Sequence, residues 1–264
     1  MVAMKIQILE RTDRELRFVL SDTNPQFANM LRRACVGEVS ILAVENVDFI
    51  ENDSALYDEV IAHRLGMMPL QFDTKVFKSR NDCDCEGKGC TNCQIVLVLD
   101  KKGPSVVTAK DIKSADPTTA KPLFDDTIIV ELFEGQKLKV DMTASLGTGR
   151  DHAKYQAARC WYRYYPIVEQ HNKVTNGYEV EKICAHGAVR VKDGKLEVGN
   201  DCDLSCKIAQ TAEPKGAIEI KGDDSKFIFF VESISGLKSE EIVLAAVDVL
   251  KSKTKEFEKQ VSAL

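Results

Sequence analysis

Nine cysteines lie unevenly along the 264 residues, and four of them fall between positions 83 and 93 as Cys83-x-Cys85-x4-Cys90-x2-Cys93. Paired near neighbours supply two sulfur ligands from each side of a loop, and Gly87 and Gly89 permit the tight turn between the pairs. Four thiolates make a closed tetrahedral set, so the pattern predicts a structural zinc site with no open position for catalysis. The spacing departs from the C-x2-C-x2-C-x3-C-P run that holds a ferredoxin cluster. Free thiols or another metal are the alternative. The role expected of the ion is to clamp a stretch too poor in apolar residues to fold alone.

Three more cysteines, Cys184, Cys202 and Cys206, form a looser second group, and Cys35 and Cys160 stand alone. Cys160, next to Trp161, reads as a buried thiol. Two histidines invite an enzymatic reading. His63 has Glu59 four residues earlier on a helical pattern, so the two can pair on one face. His152 sits between Asp151 and Lys154. Neither has a nucleophile or substrate-binding pattern beside it, and structural roles are expected for both. The chain carries no P-loop, no G-x-G-x-x-G, no G-x-S-x-G and no carboxylate cluster suited to nucleotidyl transfer. No catalytic residue is assigned.

Composition narrows the field. With 36 basic and 41 acidic residues the net charge is −5, which does not favour direct binding to nucleic acid, where phosphate neutralisation supplies most of the affinity. The zinc loop itself is acidic at Asn81-Asp82-Cys83-Asp84-Cys85-Glu86, against a nucleic-acid-binding zinc module. No run approaches the 18 apolar residues of a membrane span, and the N-terminus runs into an alternating pattern rather than a signal peptide. A soluble, cytoplasmic protein without membrane association is expected.

The elements that must position these residues can be read in order. Ile6 and Ile8, then Leu16, Phe18 and Leu20, alternate at period two and predict a hairpin turning at 11–14. Asn24 as N-cap and Pro25 at the first helical position open a helix carrying Phe27, Met30, Leu31 and Ala34, with Gly37 as a left-handed cap. A strand is expected over 41–50, then a helix capped by Asp53 or Ser54 and closed by Gly66 and Pro69. Strands follow at 95–99, 127–132 and 137–143, with a solvated loop at 101–122. Residues 166 to about 216 are polar, with short strands at 188–191 and 196–198; further strands are expected at 217–220 and 227–231. Ser239 then caps the longest helix, where Val243, Val247, Leu250, Phe257 and Val261 form a stripe. That stripe suits either packing within its own domain or a subunit interface.

Four stretches resemble the family of the archaeal DNA-directed RNA polymerase D-type subunit, its eukaryotic counterparts and, more distantly, the N-terminal domain of bacterial polymerase α. They are Phe27-Ala28-Asn29-Met30-Leu31-Arg32-Arg33, Ala62-His63-Arg64-Leu65-Gly66-Met67-Met68-Pro69-Leu70, Gly149-Arg150-Asp151-His152-Ala153-Lys154-Tyr155, and Phe229 to Ser233 followed by Gly236 and the terminal helix. Their order fits over essentially the whole chain. The resemblance implies an α+β fold with a discontinuous dimerisation domain, a mixed sheet with two helices, at 1–40 and 217–264. A middle domain at 41–165 would contain the cysteine knot, and a small ferredoxin-like domain would be inserted at 166–216.

The function so implied is that of a non-catalytic assembly subunit. It would pair with a smaller L-type subunit, be joined by the small N and P subunits, and form the platform for the two large catalytic subunits, meeting DNA only through the complex. The resemblance makes Phe27, Asn29, Met30, Leu31, Arg32, Arg33, Val243, Val247, Leu250 and Phe257 the candidate interface. Many members hold an iron–sulfur cluster in the inserted domain. Cys184, Cys202 and Cys206 are the candidate ligands here, for a three-iron cluster or a four-iron cluster with one other ligand, and a domain that has lost its cluster is the alternative. A stand-alone zinc or iron–sulfur redox protein is the rival function; it would want a complete cluster pattern and a partner cysteine for turnover.

Overall fold

The computed structural model describes residues 4–184, 188–199, 211–214 and 217–263. The chain is α+β, with four helices and fourteen strands among the described residues. It divides into two compact units, one made of Met1–Arg32 with Cys160–Val231 and the other of Arg33–Arg159 with Glu232–Leu264.

In the first unit, β1 (Lys5–Arg11) and β2 (Glu15–Ser21) form the predicted antiparallel hairpin. Helix α1 (Pro25–Gly37) follows and runs on into the second unit. It opens as expected: Asn24 Oδ1 accepts from the Phe27 backbone N–H at 2.9 Å. Gly37, in contrast, stays right-handed and is not among the residues of positive φ. Glu38 N still donates to Ala34 O at 3.0 Å, so the helical ladder passes the glycine and needs no left-handed cap.

The other two strands of this sheet come from far along the chain, in the order β1-β2-β14-β11. They are β11 (Ala158–Gln170) and β14 (Ile218–Ser233), the latter one continuous strand where the sequence suggested two. Asp223, Asp224 and Ser225 look like a break, but Asp223 Oδ1 accepts from Ser225 N and Oγ and Ser225 O accepts from Thr23 N, so the polar stretch is satisfied within the continuous strand. One face is lined by aromatic rings. Phe18 stacks on Phe229 at 5.1 Å, and Tyr162 lies 5.4 and 5.3 Å from Phe227 and Phe229.

The same unit holds α3 (Gly177–Ile183) and the hairpin β12 (Val189–Lys192) and β13 (Lys195–Val198), gathered on a small core of Val180, Cys184, Val189, Ile218 and Ile220. Glu213 is buried there and holds the turn that leads into α3, accepting from Thr175 N at 3.0 Å, Thr175 Oγ1 at 2.9 Å and Asn176 N at 2.6 Å.

The second unit is built around β3 (Ile41–Asn52), β10 (Lys137–Gly147) and β5 (Gln94–Lys102), antiparallel, with the two-residue β7 (Lys113–Ser114) at the edge. Two short ladders, β4 (Leu70–Phe72) with β8 (Ala120–Pro122) and β6 (Ser105–Thr108) with β9 (Ile128–Leu132), complete it. Residues 101–122 are therefore ordered, where a solvated loop was expected. The cause is tertiary: Val107, Ala109, Ile112 and Ala120 are each buried in the core that also holds Leu97, Leu138 and Met142.

Helix α2 (Asp58–Met67) begins later than its expected caps. Asn52 bonds Ser54 N, Ser54 Oγ, Leu56 O and Asp58 Oδ1, so its side chain organises a turn in which Ser54 is engaged, while Asp53 N donates to Lys137 O. Gly66 lies inside this helix rather than closing it. Helix α4 (Ser239–Ser262) starts at Ser239, with Lys238 as its N-cap. Glu241 Oε2 reaches back to accept from the Lys238 backbone N–H at 2.8 Å, so the first turn is closed from a cap one residue earlier than the expected Ser239.

Candidate functional site

The cysteine loop lies in the second unit between β4 and β5, a stretch with little regular structure of its own. A turn of three residues at Arg80–Asp82 leads into it. Glu86, Gly87 and Gly89 then take left-handed backbone at φ 54°, 78° and 93°. At Gly89 this conformation is matched by a close approach, since a Cβ there would fall 2.6 Å from Gln94 Oε1. Gln94 Oε1 is itself held by Arg80 Nη2 at 2.9 Å.

These turns bring the four predicted sulfurs together, all within 4.8 Å of one another. Sγ of Cys83 lies 3.5 Å from that of Cys90; Cys85 lies 3.6 Å from Cys93, and Cys90 lies 3.9 Å from Cys93. A tetrahedron with metal–sulfur bonds of about 2.3 Å has edges of about 3.8 Å, so the separations fit a single dication. Cys83 and Cys93 are buried and the other two half-buried. The Cys90 backbone N–H donates to Cys93 Sγ at 3.2 Å, while Cys93 N and Gln94 N both donate to Cys90 O at 3.0 Å. The second cysteine pair is thus a closed turn with its sulfur partly neutralised by backbone N–H, the outer-shell support a thiolate ligand needs.

The thiols are not equivalent. The Gly89 backbone N–H lowers the Cys85 pKa to about 6. Cys83 accepts from the Cys85 N–H, which alone would lower it, but burial and the neighbouring thiols push it up to about 12; burial also raises Cys93. A cation among the four sulfurs would favour the thiolate form of each of them. The four donors of the cluster are all sulfur, so the arrangement suits fixing a loop rather than activating a substrate.

Of the second cysteine group, Cys184 is buried in the small core of α3 and β12. Cys202 and Cys206 lie outside the described residues.

The candidate interface residues are scattered between burial and solvent. On α1, Leu31 is buried, Phe27 and Arg32 are half-buried, and Asn29, Met30 and Arg33 are exposed. Asn29 Oδ1 accepts from both Arg32 Nε at 3.1 Å and Arg32 Nη2 at 3.0 Å, so its polarity is satisfied on its own helix. On α4 the first turns are anchored by buried Ser239, Ile242 and Ala246. Val243, Val247 and Leu250 are half-buried at the side of that face. From Lys251 to Ala263 every residue is exposed, including Phe257 at 68% and Val261 at 50%.

Two further features were missed in the sequence. Glu38, just past α1, takes ion pairs from Arg150 and from Lys253 Nζ, the latter at 2.6 Å, joining the Gly149–Tyr155 segment and α4 to one carboxylate. An added Cβ at Gly149 would overlap Val36 O, so the glycine of this motif is required by the close passage of the chain. The second is a carboxylate at Glu45 bonded by both Lys154 and Tyr155. Each joins residues some 100 or more positions apart, and no local pattern announces them.

The chain is similar to known proteins over almost all of its length. Residues 46–160 match the family described as RNA polymerase Rpb3/RpoA insert domain. A protein of Methanosphaera stadtmanae named DNA-directed RNA polymerase subunit Rpo3 is 36% identical over 260 residues, covering 95% of this chain and 96% of that one. Proteins of the same name from Archaeoglobus fulgidus and Pyrococcus furiosus are each 35% identical, covering 98% and 100% of this chain and 98% and 99% of their own.

Proposed function

The chain belongs to the family of DNA-directed RNA polymerase subunit Rpo3, the archaeal D-type family, and from that premise we propose that it is a non-catalytic assembly subunit. In this reading it works in the cytoplasm by pairing with a smaller L-type subunit. The small N and P subunits join the pair, and the two large catalytic subunits are built upon it, so that DNA is reached only through the complex. The discontinuous domain expected from 1–40 and 217–264 would do the pairing.

One observation carries this reading. The distal half of α4 remains helical although no residue between Lys251 and Ala263 is buried on its own chain. A dozen residues of isolated helix are marginal in water, and large side chains such as Phe257 and Val261 gain nothing from projecting into it. A helix of this kind is stabilised by a groove on a partner. Asn29 and Arg32, locked to each other on α1, would present a preformed polar patch to the same assembly.

The four-cysteine loop, in this proposal, binds zinc as a structural clamp on the segment between β4 and β5. An iron–sulfur cluster on Cys184, Cys202 and Cys206 is the finer point that metal analysis decides.

The test is anaerobic co-purification with an archaeal L-type partner, followed by mass determination and metal analysis of the complex. A one-to-one heterodimer with one zinc per chain is the expected outcome. A monomer that ignores L would overturn the assembly reading and favour a stand-alone redox protein; iron in the sample would place a cluster in the second cysteine group.

A further inference from the structure

The four-stranded sheet of the first unit presents two faces of different chemistry. Phe18, Tyr162, Tyr164, Phe227 and Phe229 pack together on one of them. Side chains alternate along a strand, so Arg17, Trp161, Arg163, Tyr165, Lys226 and Phe230 belong to the other, and their contacts agree. Trp161 stacks on Phe230 with the ring centres 5.2 Å apart and the planes 2° from parallel. The Arg17 and Arg163 guanidinium groups lie over the same Phe230 ring at 5.0 and 4.8 Å, and Lys226 Nζ lies 3.5 Å from the centre of the Tyr165 ring.

Such contacts steady a sheet without any ligand. Stability alone, however, gains nothing from leaving the chain's single tryptophan 47% exposed. Strand β11 is an edge strand, so among the described residues no further strand continues the stack beyond Trp161. The charge is also one-sided. Over 17–21, 161–165 and 226–230 this face carries three cations and no carboxylate. Glu10 stands opposite Arg17 on β1, at the far edge, and Glu169 is paired with Lys221 towards the other end of β11. The net charge of −5 is an average over the whole surface and does not describe this patch. Exposed rings interleaved with cations suit single-stranded nucleic acid, whose bases offer flat faces to the rings and whose phosphates need the charge; a duplex hides its base faces. A guanidinium stacked by its face binds phosphate through its in-plane N–H groups, so the two kinds of contact are compatible.

We propose that this face of β2, β14 and β11 binds single-stranded RNA, one base stacking on Trp161 while Arg163 and Lys226 pair with neighbouring phosphates. RNA rather than DNA is assigned because a polymerase of this family releases RNA as its single-stranded product. The inference uses family membership alone and stands whether or not the chain pairs with an L-type subunit.

Because Trp161 is the only tryptophan, its own fluorescence reads the contact. Titrating the full chain with a twelve-nucleotide oligouridylate should quench that emission, and the same backbone without bases should bind more weakly and leave it unchanged. Trp161→Ala should weaken binding of the labelled oligomer about tenfold, read by anisotropy, with its salt dependence unaltered. Arg163→Gln and Lys226→Gln should each reduce the slope of log K against log salt by about 0.7. Unquenched fluorescence, or wild-type affinity in Trp161→Ala, would overturn the proposal; should that variant fail to fold, quenching of the wild-type chain still decides. In transcribing polymerase carrying p-benzoylphenylalanine in place of Trp161, a crosslink to RNA supports the assignment, and crosslinks confined to protein or DNA sink it.

Discussion

The Tyr155 hydroxyl donates to Glu45 Oε2 at 2.6 Å, and Lys154 Nζ reaches the same oxygen at 2.5 Å. One carboxylate oxygen on β3 therefore fixes two successive residues of the Gly149–Tyr155 segment. Tyr155 is buried, and its ring lies so near Gly147 that a Cβ there would stand 2.5 Å from it. The contact is a charge-assisted bond in a confined place, the kind whose loss is felt.

Replacing Tyr155 by Phe should cost about 1–2 kcal/mol, and Glu45→Gln somewhat more because Lys154 loses its counter-charge. A double-mutant cycle between the two would show coupling; simple additivity would mean the bond is dispensable. The pH dependence has a definite sign. Lys154 and Tyr155 hold the Glu45 pKa below its ordinary value, so this contribution is complete above about pH 4.5 and is lost as pH falls through the lowered pKa. Burial and the Glu45 bond raise the Tyr155 pKa, so its contribution is complete below about pH 10 and is lost above it. Tyr155→Phe should flatten the alkaline limb of a stability–pH curve.

Removing metal with a chelator, or replacing Cys90 or Cys93 by Ser, should loosen residues 78–94 while leaving pairing with L largely intact. Hydrogen exchange would show loss of protection at Lys78, whose N–H bonds Asn92 O across the loop, and at Cys93 and Gln94, whose N–H groups bond Cys90 O. Equal loss of loop order and of pairing would mean that the loop and the pairing surface are one cooperative unit.

Phe257→Glu should leave the melting temperature of the isolated chain within about 1–2 °C, since the side chain is exposed and exposed substitutions are nearly neutral. It should weaken association with L by at least about tenfold, read by calorimetry. Leu250→Glu and Phe27→Glu, at half-buried positions, should weaken pairing as well and leave the zinc content unchanged. Normal pairing by all three variants would show that L binds elsewhere.

Glu213→Gln removes the charge that holds Thr175 and Asn176, the turn leading into α3. Burial raises its pKa, but bonds from Asn176 N, Thr175 N and the Thr175 hydroxyl outweigh burial and the net shift is downward. Its contribution is therefore complete above about pH 4.5 and lost as pH falls through the lowered value. At neutral pH the substitution should cost about 1–3 kcal/mol, seen first as faster exchange at Val180 N, which bonds Asn176 O at the start of α3. Unchanged exchange at Val180 would show that these bonds contribute little to α3.

Much of this organisation was legible in the residues. The β1–β2 hairpin follows from alternating Ile6, Ile8, Leu16 and Phe18, and the start of α1 from Asn24-Pro25, because both depend on neighbours a few positions away. The four sulfurs of the loop were legible for the same reason. The start of α2 was not, because Asn52 captures Ser54 and Asp58 in a turn whose partners could equally have served as caps. The order at 101–122 was not, because its few apolar residues are too sparse to show a period and are buried only by β5 and β10.

By itself the sequence determined the α+β class, the grouping of four cysteines and the family, since hydrophobic period, cysteine spacing and motif order are properties of a linear string. Tertiary structure alone decided what those segments touch. It placed β11 and β14 in one sheet with a hairpin from the N-terminus, and it set Arg150 and Lys253 on Glu38. It also brought His63 and His152 to one cleft over the Glu45–Lys154 pair. Those relations arise from chain segments far apart in the sequence, where packing and neutralisation of buried charge select the partners and no local preference of either segment encodes them.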